Sequence, residues 1–251
     1  MKRNEFMNIW KSEAEKAFVG WDFSYLAGRV IKDPLPWDYQ AVVLDYMKEA
    51  ERVLDMGTGG GEFLLSLNPP RGRTYATEAY PPNYELCANT LPAHGIDVRQ
   101  VFSQDQLPFD SSFFDLVINR QAAYSAKELY RVLKPGGSFV TQQVGGMNNR
   151  ELAGFLLGSS TAEIAPDFSL AWNVEELKQA GFTISVSEEC LPHARFRDIG
   201  ALVYWASIIE WEFPGFSVDR CYEQLCLLQQ ELESRGYVES REHRLMIIAK
   251  K

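Results

Sequence analysis

The chain has 251 residues, of which 46% are hydrophobic, 13% aromatic and 24% charged. This composition is ordinary for a folded globular protein and excludes a disordered, collagen-like or coiled-coil chain. Lys and Arg number 25 against 34 Asp and Glu, giving a formal net charge of −9. Because duplex-binding surfaces carry a basic excess, this charge argues against nucleic acid as the main partner.

The cysteines and the apolar segments indicate the cellular compartment. The 4 cysteines show neither a CxxC pair nor the spacing of a disulfide framework, which predicts reduced thiols. The first residues contain no apolar region of about 7–15 residues, so no secretory signal is predicted. No run of about 18 apolar residues occurs, so no membrane span is predicted. We expect a cytoplasmic protein.

The predicted elements begin with an amphipathic helix over about residues 4–18 and an aromatic loop at 21–25. After a Pro-rich break at 33–36, Asp38 is expected to cap a helix that runs to about Ala50. From residue 52 onward, strand-like and helix-like segments alternate. Strands joined by helical crossovers predict a parallel sheet with helices on both faces. The strand candidates are 52–56, 74–78, 96–102, 114–119 and 138–144, and the helical stretches between them are 62–67, 82–91 and 122–133.

The C-terminal third shows no linker and is predicted to complete the same fold. It contains a helix at 173–180, a strand at 182–186 and two helices with apolar stripes at 198–210 and 218–235. The last strand, 245–249, is apolar on both faces, which is typical of a central strand. We therefore expect a single domain over 1–251. Its parts are an N-terminal lid segment (1–37), a core (38–190), a helical insertion (191–240) and the last strand (241–251).

The segment Val-Leu-Asp-Met-Gly-Thr-Gly-Gly-Gly-Glu at 53–62 is the most informative motif. A buried strand leads into glycines and then a helix, so a ligand can approach the backbone closely at the carboxyl end of the strand. Glu78 ends the next strand about 20 residues later, where an acid accepts hydrogen bonds from ribose hydroxyls. Together these features predict a nucleoside site.

Charge indicates which nucleoside cofactor fits. A dinucleotide site needs a glycine at position 62 to complete the spacing that starts at Gly57, because a pyrophosphate lies on the helix N-terminus. Here that position is Glu62, and Asp55 adds a second carboxylate beside the loop. Two carboxylates repel a pyrophosphate, but they suit the ammonium and sulfonium groups of S-adenosylmethionine.

These residues resemble the class I S-adenosylmethionine-dependent methyltransferases, of the small-molecule, type 11-like group. The resemblance is carried by the glycine loop, by Ala-Thr-Glu-Ala-Tyr at 76–80, and by the segments 103–120 and 128–146. It implies an α/β, Rossmann-like sheet of seven strands, six of them parallel and the last antiparallel. Helices cover both faces, with an N-terminal helical lid and a C-terminal helical insertion.

The resemblance also implies the cofactor contacts. S-adenosylmethionine is the expected cofactor and S-adenosylhomocysteine the product. Members often carry an Asp at the position of Ser103 that binds the adenine amino group, so Gln104 or Asp105 is an alternative here. The expected cofactor-binding residues are Asp55, Gly57, Thr58, Gly59, Gly61, Glu78, Ala79, Tyr80, Ser103, Gln104, Asp105, Asn119 and Arg120.

The sequence assigns no catalytic residue, because transfer from a sulfonium mainly requires a close and aligned nucleophile. A base is needed only if the acceptor is a hydroxyl or a protonated amine. The candidates are Asn119, Arg120, Tyr124 and Gln143, and the alternative for Gln142 and Gln143 is a solvated strand end. His193 is a further candidate base or anion site, with an ordinary surface role as the alternative. No metal is expected.

Aromatic residues are concentrated in two segments, 21–25 and 196–216, which are predicted to form the acceptor side. The alternative is that the helix pair in the second segment packs on the sheet. The aromatic residues of that segment are Phe196, Tyr204, Trp205, Trp211, Phe213 and Phe216, and Trp37 and Tyr39 are expected on the opposite wall.

The sequence thus predicts a methyltransferase for a small, partly apolar acceptor, without membrane contact, as a monomer or homodimer. Two alternatives stay open at this point. One is a methyltransferase for RNA or a protein side chain, and the other is a non-catalytic protein that binds S-adenosylmethionine.

Overall fold

The computed structural model describes residues 3–158, 165 and 167–251, so the first two residues of the predicted lid segment lie outside it. The described chain forms two compact units. The first comprises Met1–Leu35, Gly145–Phe168 and Cys190–Arg244, and the second comprises Pro36–Val144, Ser169–Glu189 and Leu245–Lys251. The expectation of a single domain over 1–251 stays a prediction.

Helices and strands alternate through most of the chain. The α-helices are α1 (Arg3–Ala14), α2 (Tyr39–Glu49), α3 (Glu62–Ser66), α4 (Pro81–Thr90), α5 (Ala126–Val132), α6 (Arg150–Leu157), α7 (Leu170–Gln179), α8 (Ile199–Ile208) and α9 (Tyr222–Arg235). The strands are β1 (Val30–Lys32), β2 (Val53–Met56), β3 (Thr74–Glu78), β4 (Ile96–Gln100), β5 (Phe114–Arg120), β6 (Leu133–Val144), β7 (Thr183–Cys190), β8 (His193–Phe196), β9 (Val238–Arg241) and β10 (Arg244–Lys250). Short 3-10 helices lie at Ser24–Leu26 and Leu91–His94.

The second unit is built on a seven-stranded sheet in the order β4-β3-β2-β5-β6-β10-β7. The pairs β2–β3, β2–β5, β3–β4 and β5–β6 are parallel. β10 is antiparallel: Gly136 N donates to Lys251 O, so the start of β6 lies beside the end of the chain. The predicted α/β, Rossmann-like sheet is confirmed.

Both faces of this sheet are buried, because alternate side chains of a strand point to opposite sides. Val53 of β2 packs with α2, α3 and α4, whereas its neighbour Leu54 packs with α5 and α7. β2 is therefore covered on both faces, and a ligand is expected at its carboxyl end, as in other open α/β sheets.

Several element boundaries differ from the predicted ones; for example, α5 begins at Ala126 rather than at 122, and β7 runs to Cys190 rather than to 186. Helix α1 ends at Ala14 rather than near Phe18, and Phe18 packs against Phe23 instead. β6 begins at Leu133 rather than at Ser138, because Leu133 already pairs with Phe114. The register shift between Phe114 and Leu116 accommodates the Pro-Gly-Gly segment at 135–137 within β6. The Asp38 cap is confirmed, since its Oδ1 accepts the Ala41 N–H at 3.0 Å.

The first unit contains a second sheet that the sequence did not predict. β1, β8 and β9 form three antiparallel strands, with Val30 paired to Phe196 and Phe196 paired to Val238. The segment 191–240 is therefore not purely helical: it holds α8 and α9 but also β8 and β9. Helix α6, also in this unit, was not predicted.

Candidate functional site

The candidate site lies at the carboxyl ends of β2, β3 and β5 in the second unit. After β2, the chain turns through Gly57, Gly59 and Gly61, whose φ angles are 73°, 65° and 85°. Only glycine adopts such angles without strain. The N–H groups of Gly57 and Thr58 both donate to Thr77 O at 3.0 Å, which fixes the loop against β3.

Gly57 also has no room for a side chain. A Cβ added there would lie 2.3 Å from Ala122 Cβ, in the segment that follows β5. That segment begins at Gln121, which has a φ of 62° and donates its N–H to Gln142 O at 2.8 Å. The post-β5 segment therefore packs directly on the glycine loop.

Glu78 joins the end of β3 to the glycine loop. Its side chain is buried, and Oε2 accepts the Gly59 N–H at 2.7 Å. Oε1 accepts the N–H groups of Ala79 and Tyr80, each at 2.8 Å. A carboxylate offers about four acceptor positions. Three are used by the backbone, so one is left on Oε2 for a further donor.

Asp55 provides a second carboxyl group, in β2 directly before the loop. It is buried within β2, and this burial, together with the charge of Glu78, raises its pKa to about 6. The nearby Arg120 guanidinium favours the charged form and offsets part of the shift. A cation bound beside Asp55 would stabilise the carboxylate further, because opposite charges favour ionisation.

Two buried hydroxyl groups beside the loop lack partners. Thr58 Oγ1 and Thr77 Oγ1 make no hydrogen bond of ordinary geometry with any described residue, although the Thr58 hydroxyl lies near enough to Asp55 to favour its charged form. Buried polar atoms are rarely left unpaired. Unpaired hydroxyls, a free acceptor position and two acids fit a polar, cationic nucleoside.

Comparison with known proteins agrees with this geometry. Residues 54–141 match the family described as Methyltransferase domain. The solved structure of a putative methyltransferase from Bacillus halodurans superposes with a TM-score of 0.60 at 17% identity, covering 84% of this chain and 98% of that one. The matched residues, 54–141, thus carry a methyltransferase domain. The predicted resemblance is confirmed, and the match implies S-adenosylmethionine as the cofactor.

Two sequence relatives also match part of this chain. A demethylmenaquinone methyltransferase from Thermus thermophilus is 34% identical over 116 residues, which cover 42% of this chain and 53% of the relative. A probable phthiotriol/phenolphthiotriol dimycocerosates methyltransferase from Mycobacterium ulcerans is 32% identical over 98 residues, covering 36% and 38%. The chain thus spans about half or less of the length of these relatives.

Arg120 lies at the end of β5, next to the glycine loop of the methyltransferase domain. Its guanidinium stacks on the Phe63 ring at 4.1 Å, and Phe63 in turn stacks on Tyr39. The Tyr39 hydroxyl donates to Asn119 O at 2.9 Å, and burial raises its pKa. Stacking holds the guanidinium near Asp55 without a direct ion pair to any residue that the structure describes, so its N–H groups can bind a ligand.

Asn119 and Gln143 form one buried amide network. Asn119 Oδ1 accepts from Thr141 Oγ1 at 2.9 Å and from Gln143 Nε2 at 2.5 Å. Gln143 Nε2 also donates to Ala122 O at 3.0 Å, which ties β6 to the post-β5 segment. Gln143 is therefore not a solvated strand end, and both side chains position the backbone around the loop. Their predicted catalytic roles stay predictions.

The other two polar candidates near β5 and β6 are also engaged. The Tyr124 hydroxyl donates to Asn173 Oδ1 at 2.7 Å, and burial raises the pKa of Tyr124. A raised pKa disfavours a tyrosinate base at neutral pH. Gln142 is buried and its Oε1 accepts from Trp37 Nε1 at 2.8 Å.

The predicted adenine contacts follow β3 and β4. Glu78 pairs with Gln100, so Tyr80 and Phe102 occupy equivalent places beyond the two strands. Tyr80 is 61% exposed and Phe102 is 88% exposed. The next residues are exposed as well, and Ser103 Oγ accepts the Asp105 N–H at 3.2 Å. Ala79 and Gln104 are likewise exposed.

Three residues around the loop were not predicted from the sequence. Ala122 fills the space over Gly57, Phe63 supports Arg120, and Phe102 presents an exposed ring at the edge of the site. The signal for Phe102 was available, since a large apolar residue directly follows a strand at the ligand-binding edge. Nothing comparable marked Ala122 or Phe63, whose roles depend on three-dimensional contact.

His193 lies in the first unit and has acidic neighbours. Its Nδ1 is 3.2 Å from Asp33 Oδ2, and Arg195 Nη1 bonds Asp33 Oδ1 at 2.7 Å. Arg195 Nε also bonds Glu239 Oε2 at 3.0 Å. Because carboxylates already surround His193 and Arg195, this cluster does not favour an anion site.

Within residues 3–158, 165 and 167–251, no group of three or more His, Cys, Asp or Glu side chains is arranged to hold a metal ion. The helices in these ranges are all too short or too polar to traverse a lipid bilayer.

Proposed function

We propose that this protein is an S-adenosylmethionine-dependent methyltransferase that acts on a small-molecule acceptor. The observation that carries the proposal is the joint placement of Glu78 and Asp55 at the carboxyl ends of neighbouring parallel strands, with the Gly57 turn between them. Ligands of open α/β sheets bind at this edge.

Different residues around the glycine loop contact different parts of the cofactor in this proposal. Glu78 retains one acceptor position on Oε2 for a ribose hydroxyl, and the exposed rings of Tyr80 and Phe102 offer apolar surface to the adenine. Asp55 offers a buried carboxylate to the ammonium group. Arg120 offers a guanidinium to the carboxylate of the methionine part, because an Arg fork matches carboxylate geometry.

The bound cofactor supplies a methyl group on a positively charged sulfur, which is a good leaving group. The chain's own contribution is to align the acceptor and to exclude water. The post-β5 segment, held by Gln143 and Gln121 against β6 and by Ala122 against Gly57, covers the loop on one side. No base is assigned, since a base depends on the acceptor atom.

Two considerations support a small-molecule acceptor. The relatives from Thermus thermophilus and Mycobacterium ulcerans are named for demethylmenaquinone and for phthiotriol or phenolphthiotriol dimycocerosates, which are neither nucleic acids nor proteins. The net charge of −9 also disfavours a nucleic acid partner. We include in this proposal a cytoplasmic location and a monomeric or homodimeric state.

The proposal is tested by methyl transfer to a cell extract. The purified protein is incubated with methyl-labelled S-adenosylmethionine, and the extract is then separated into small molecules, RNA and protein. We expect label in the small-molecule fraction with the wild type and with Glu85→Gln, a change at an exposed carboxylate of α4. We expect none with Glu78→Gln. Label confined to RNA or protein, or intact cofactor binding without any product, would overturn the proposal.

A further inference from the structure

An aromatic cluster in the first unit takes no part in the proposed cofactor site. Its five rings are those of Phe18, Trp21 and Phe23, from the segment after α1, and those of Trp205 and Trp211. Trp21 also meets Trp211 edge to face, with ring centroids 5.8 Å apart, and Phe23 meets Trp205 at 5.2 Å. Trp205 belongs to α8, where eight of the ten residues are buried.

The indole N–H of Trp205 is the unusual feature of this cluster. Trp205 is only 8% exposed, and its Nε1 is buried without a hydrogen-bond partner among the described residues. Buried indole N–H groups normally find a partner. Trp37, in the second unit, follows this rule, since its Nε1 donates to Gln142 Oε1 at 2.8 Å. Trp205 therefore presents an unused donor in an apolar surrounding.

The charged neighbour of Trp205 does not satisfy this donor. Lys32 Nζ lies 4.5 Å from the centre of the Trp205 ring and pairs with Glu242 Oε1 at 2.7 Å. An ammonium group has no acceptor, so it cannot receive the indole N–H. Glu242 Oε1 pairs with both Lys32 Nζ and Arg244 Nη2, the latter at 2.8 Å, and neither oxygen of Glu242 accepts from Trp205 Nε1. The missing acceptor has to come from outside the described residues.

The cover over Trp205 is adaptable. Residues 17–22 form neither helix nor strand and their backbone groups make no helix or sheet hydrogen bond, so a shift of these residues breaks none. Trp21 is 44% exposed and Val19 is more exposed still, which is a large apolar surface for a segment without regular structure. A ligand with flat apolar faces would bury this surface next to Phe23, whose ring contacts Trp205.

We propose that the aromatic cluster is a binding site for a flat, unsaturated, mostly apolar molecule that carries a carbonyl or ether oxygen as acceptor for Trp205 Nε1. The ring faces of Trp21, Phe23 and Trp211 select flat unsaturated molecules, and the single buried donor selects an oxygen acceptor. A site with an unpaired buried donor discriminates strongly against an analogue that lacks the acceptor.

This binding site is independent of the proposed function, because it involves no residue of the glycine loop. Binding of a probe to the cluster can therefore fail while methyl transfer succeeds, and the reverse also holds.

The probe is 2-acetylnaphthalene, and its matched control is 2-ethylnaphthalene, which has the same rings but no oxygen. Binding is followed by the indole ¹H–¹⁵N signals of ¹⁵N-tryptophan-labelled protein, which contains 6 tryptophans. The Trp205 signal is identified by its loss in Trp205→Phe. We expect the ketone to shift this signal downfield in the wild type and the hydrocarbon to shift it much less. The Trp37 signal, already hydrogen-bonded, should stay in place.

The affinities provide a second readout. Trp205→Phe should weaken binding of the ketone about tenfold, the effect of one lost hydrogen bond, while changing hydrocarbon binding less than about twofold. Trp10→Phe is the matched variant, since Trp10 is a buried tryptophan of the same unit that stacks on Phe6, outside the cluster. It should leave both affinities unchanged.

Two results would overturn the inference. One is equal binding of the two probes with a similar shift of the Trp205 signal, because the indole N–H would then not select an oxygen. The other is absence of any Trp205 shift with the ketone at about 1 mM, a concentration at which even weak sites fill. Both use the wild-type protein, so they decide the matter even if Trp205→Phe does not fold.

Discussion

Glu78 Oε2 accepts the Gly59 N–H at 2.7 Å, so a carboxylate at the end of β3 holds the middle of the glycine loop that follows β2. The same side chain accepts two N–H groups at the start of the next segment, from Ala79 and Tyr80. Three charge-assisted hydrogen bonds thus shape the site and leave one acceptor position for a ligand.

Glu78→Gln should impair both folding stability and cofactor binding. The glutamine amide would point an N–H donor at a backbone N–H, and the lost charge-assisted hydrogen bonds contribute about 1.5–3 kcal/mol each. We expect a lower free energy of unfolding and S-adenosylhomocysteine binding weakened at least about tenfold. Denaturant titration and calorimetry measure the two effects. Glu85→Gln, at an exposed position of α4, is the control.

Gly57→Ala should disrupt the packing of the post-β5 segment. The added Cβ would lie 2.3 Å from Ala122 Cβ, and the φ of 73° is itself unfavourable for alanine. Gly72 has the same φ of 73° but no atom within 4 Å of an added Cβ, so Gly72→Ala isolates the strain from the clash. We expect both variants to lose about 1 kcal/mol from strain. Only Gly57→Ala should lose a further 1–3 kcal/mol or so through overpacking.

Equal losses of unfolding free energy in Gly57→Ala and Gly72→Ala would contradict this account. The close packing of Ala122 on the glycine loop would then make no measurable contribution to the free energy of unfolding. Cofactor affinity separates the variants further, since only Gly57 lies in the proposed site.

Asp55 should make stability depend on pH in a characteristic direction. Its pKa rises from the ordinary 3.8 to about 6 on folding, chiefly through burial. Between these values the folded chain binds more protons than the unfolded chain, so stability falls as pH rises from about 4 to 6. A shift of this size corresponds to about 3 kcal/mol.

Asp55→Asn should remove that slope and raise the unfolding free energy of the unliganded protein at neutral pH. Urea titrations at several pH values measure the difference from the wild type. Asp45→Asn, at an exposed carboxylate of α2 paired with Lys48, should leave the slope unchanged. A wild-type slope that survives in Asp55→Asn would show that other groups produce it.

Arg120→Met should raise the pH midpoint at which cofactor binding is half lost. The guanidinium lowers the pKa of Asp55 by charge, so its removal raises that pKa further. As the pH is lowered, Asp55 should then become protonated earlier. Binding of cationic S-adenosylmethionine should therefore begin to weaken at a higher pH than in the wild type. Arg52→Met is the matched control, because Arg52 stacks on Phe113 at 4.3 Å much as Arg120 stacks on Phe63. Calorimetric titration across the pH range gives both midpoints, and identical midpoints for Arg120→Met and the wild type would refute the proposed coupling.

The sheet of the second unit was predictable because its signals are local. The strands β2, β5 and β10 are short, largely apolar runs. The motif from Val53 to Glu62 predicts the ligand-binding edge from sequence alone. Glu78 follows from its distance along the chain from that motif. These features depend on backbone conformation and strand order, which local sequence largely determines.

The second sheet was not predictable for the opposite reason. β1 is three residues long, and Val30 pairs with Phe196, a residue far along the chain. Such short strands carry almost no periodic signal, and their pairing is decided by tertiary contacts. The amide of Gln143 poses the same difficulty: the sequence left a solvated strand end open, whereas Asn119 and Ala122 bind the side chain in the interior.

Titration of the wild-type protein with S-adenosylmethionine by calorimetry, with NAD⁺ in a parallel cell, tests the central claim most directly. We predict one S-adenosylmethionine bound per chain with a micromolar dissociation constant, loss of this binding in Glu78→Gln, and no heat from NAD⁺. Absence of S-adenosylmethionine binding at millimolar concentration, or binding that Glu78→Gln leaves unchanged, would contradict the account.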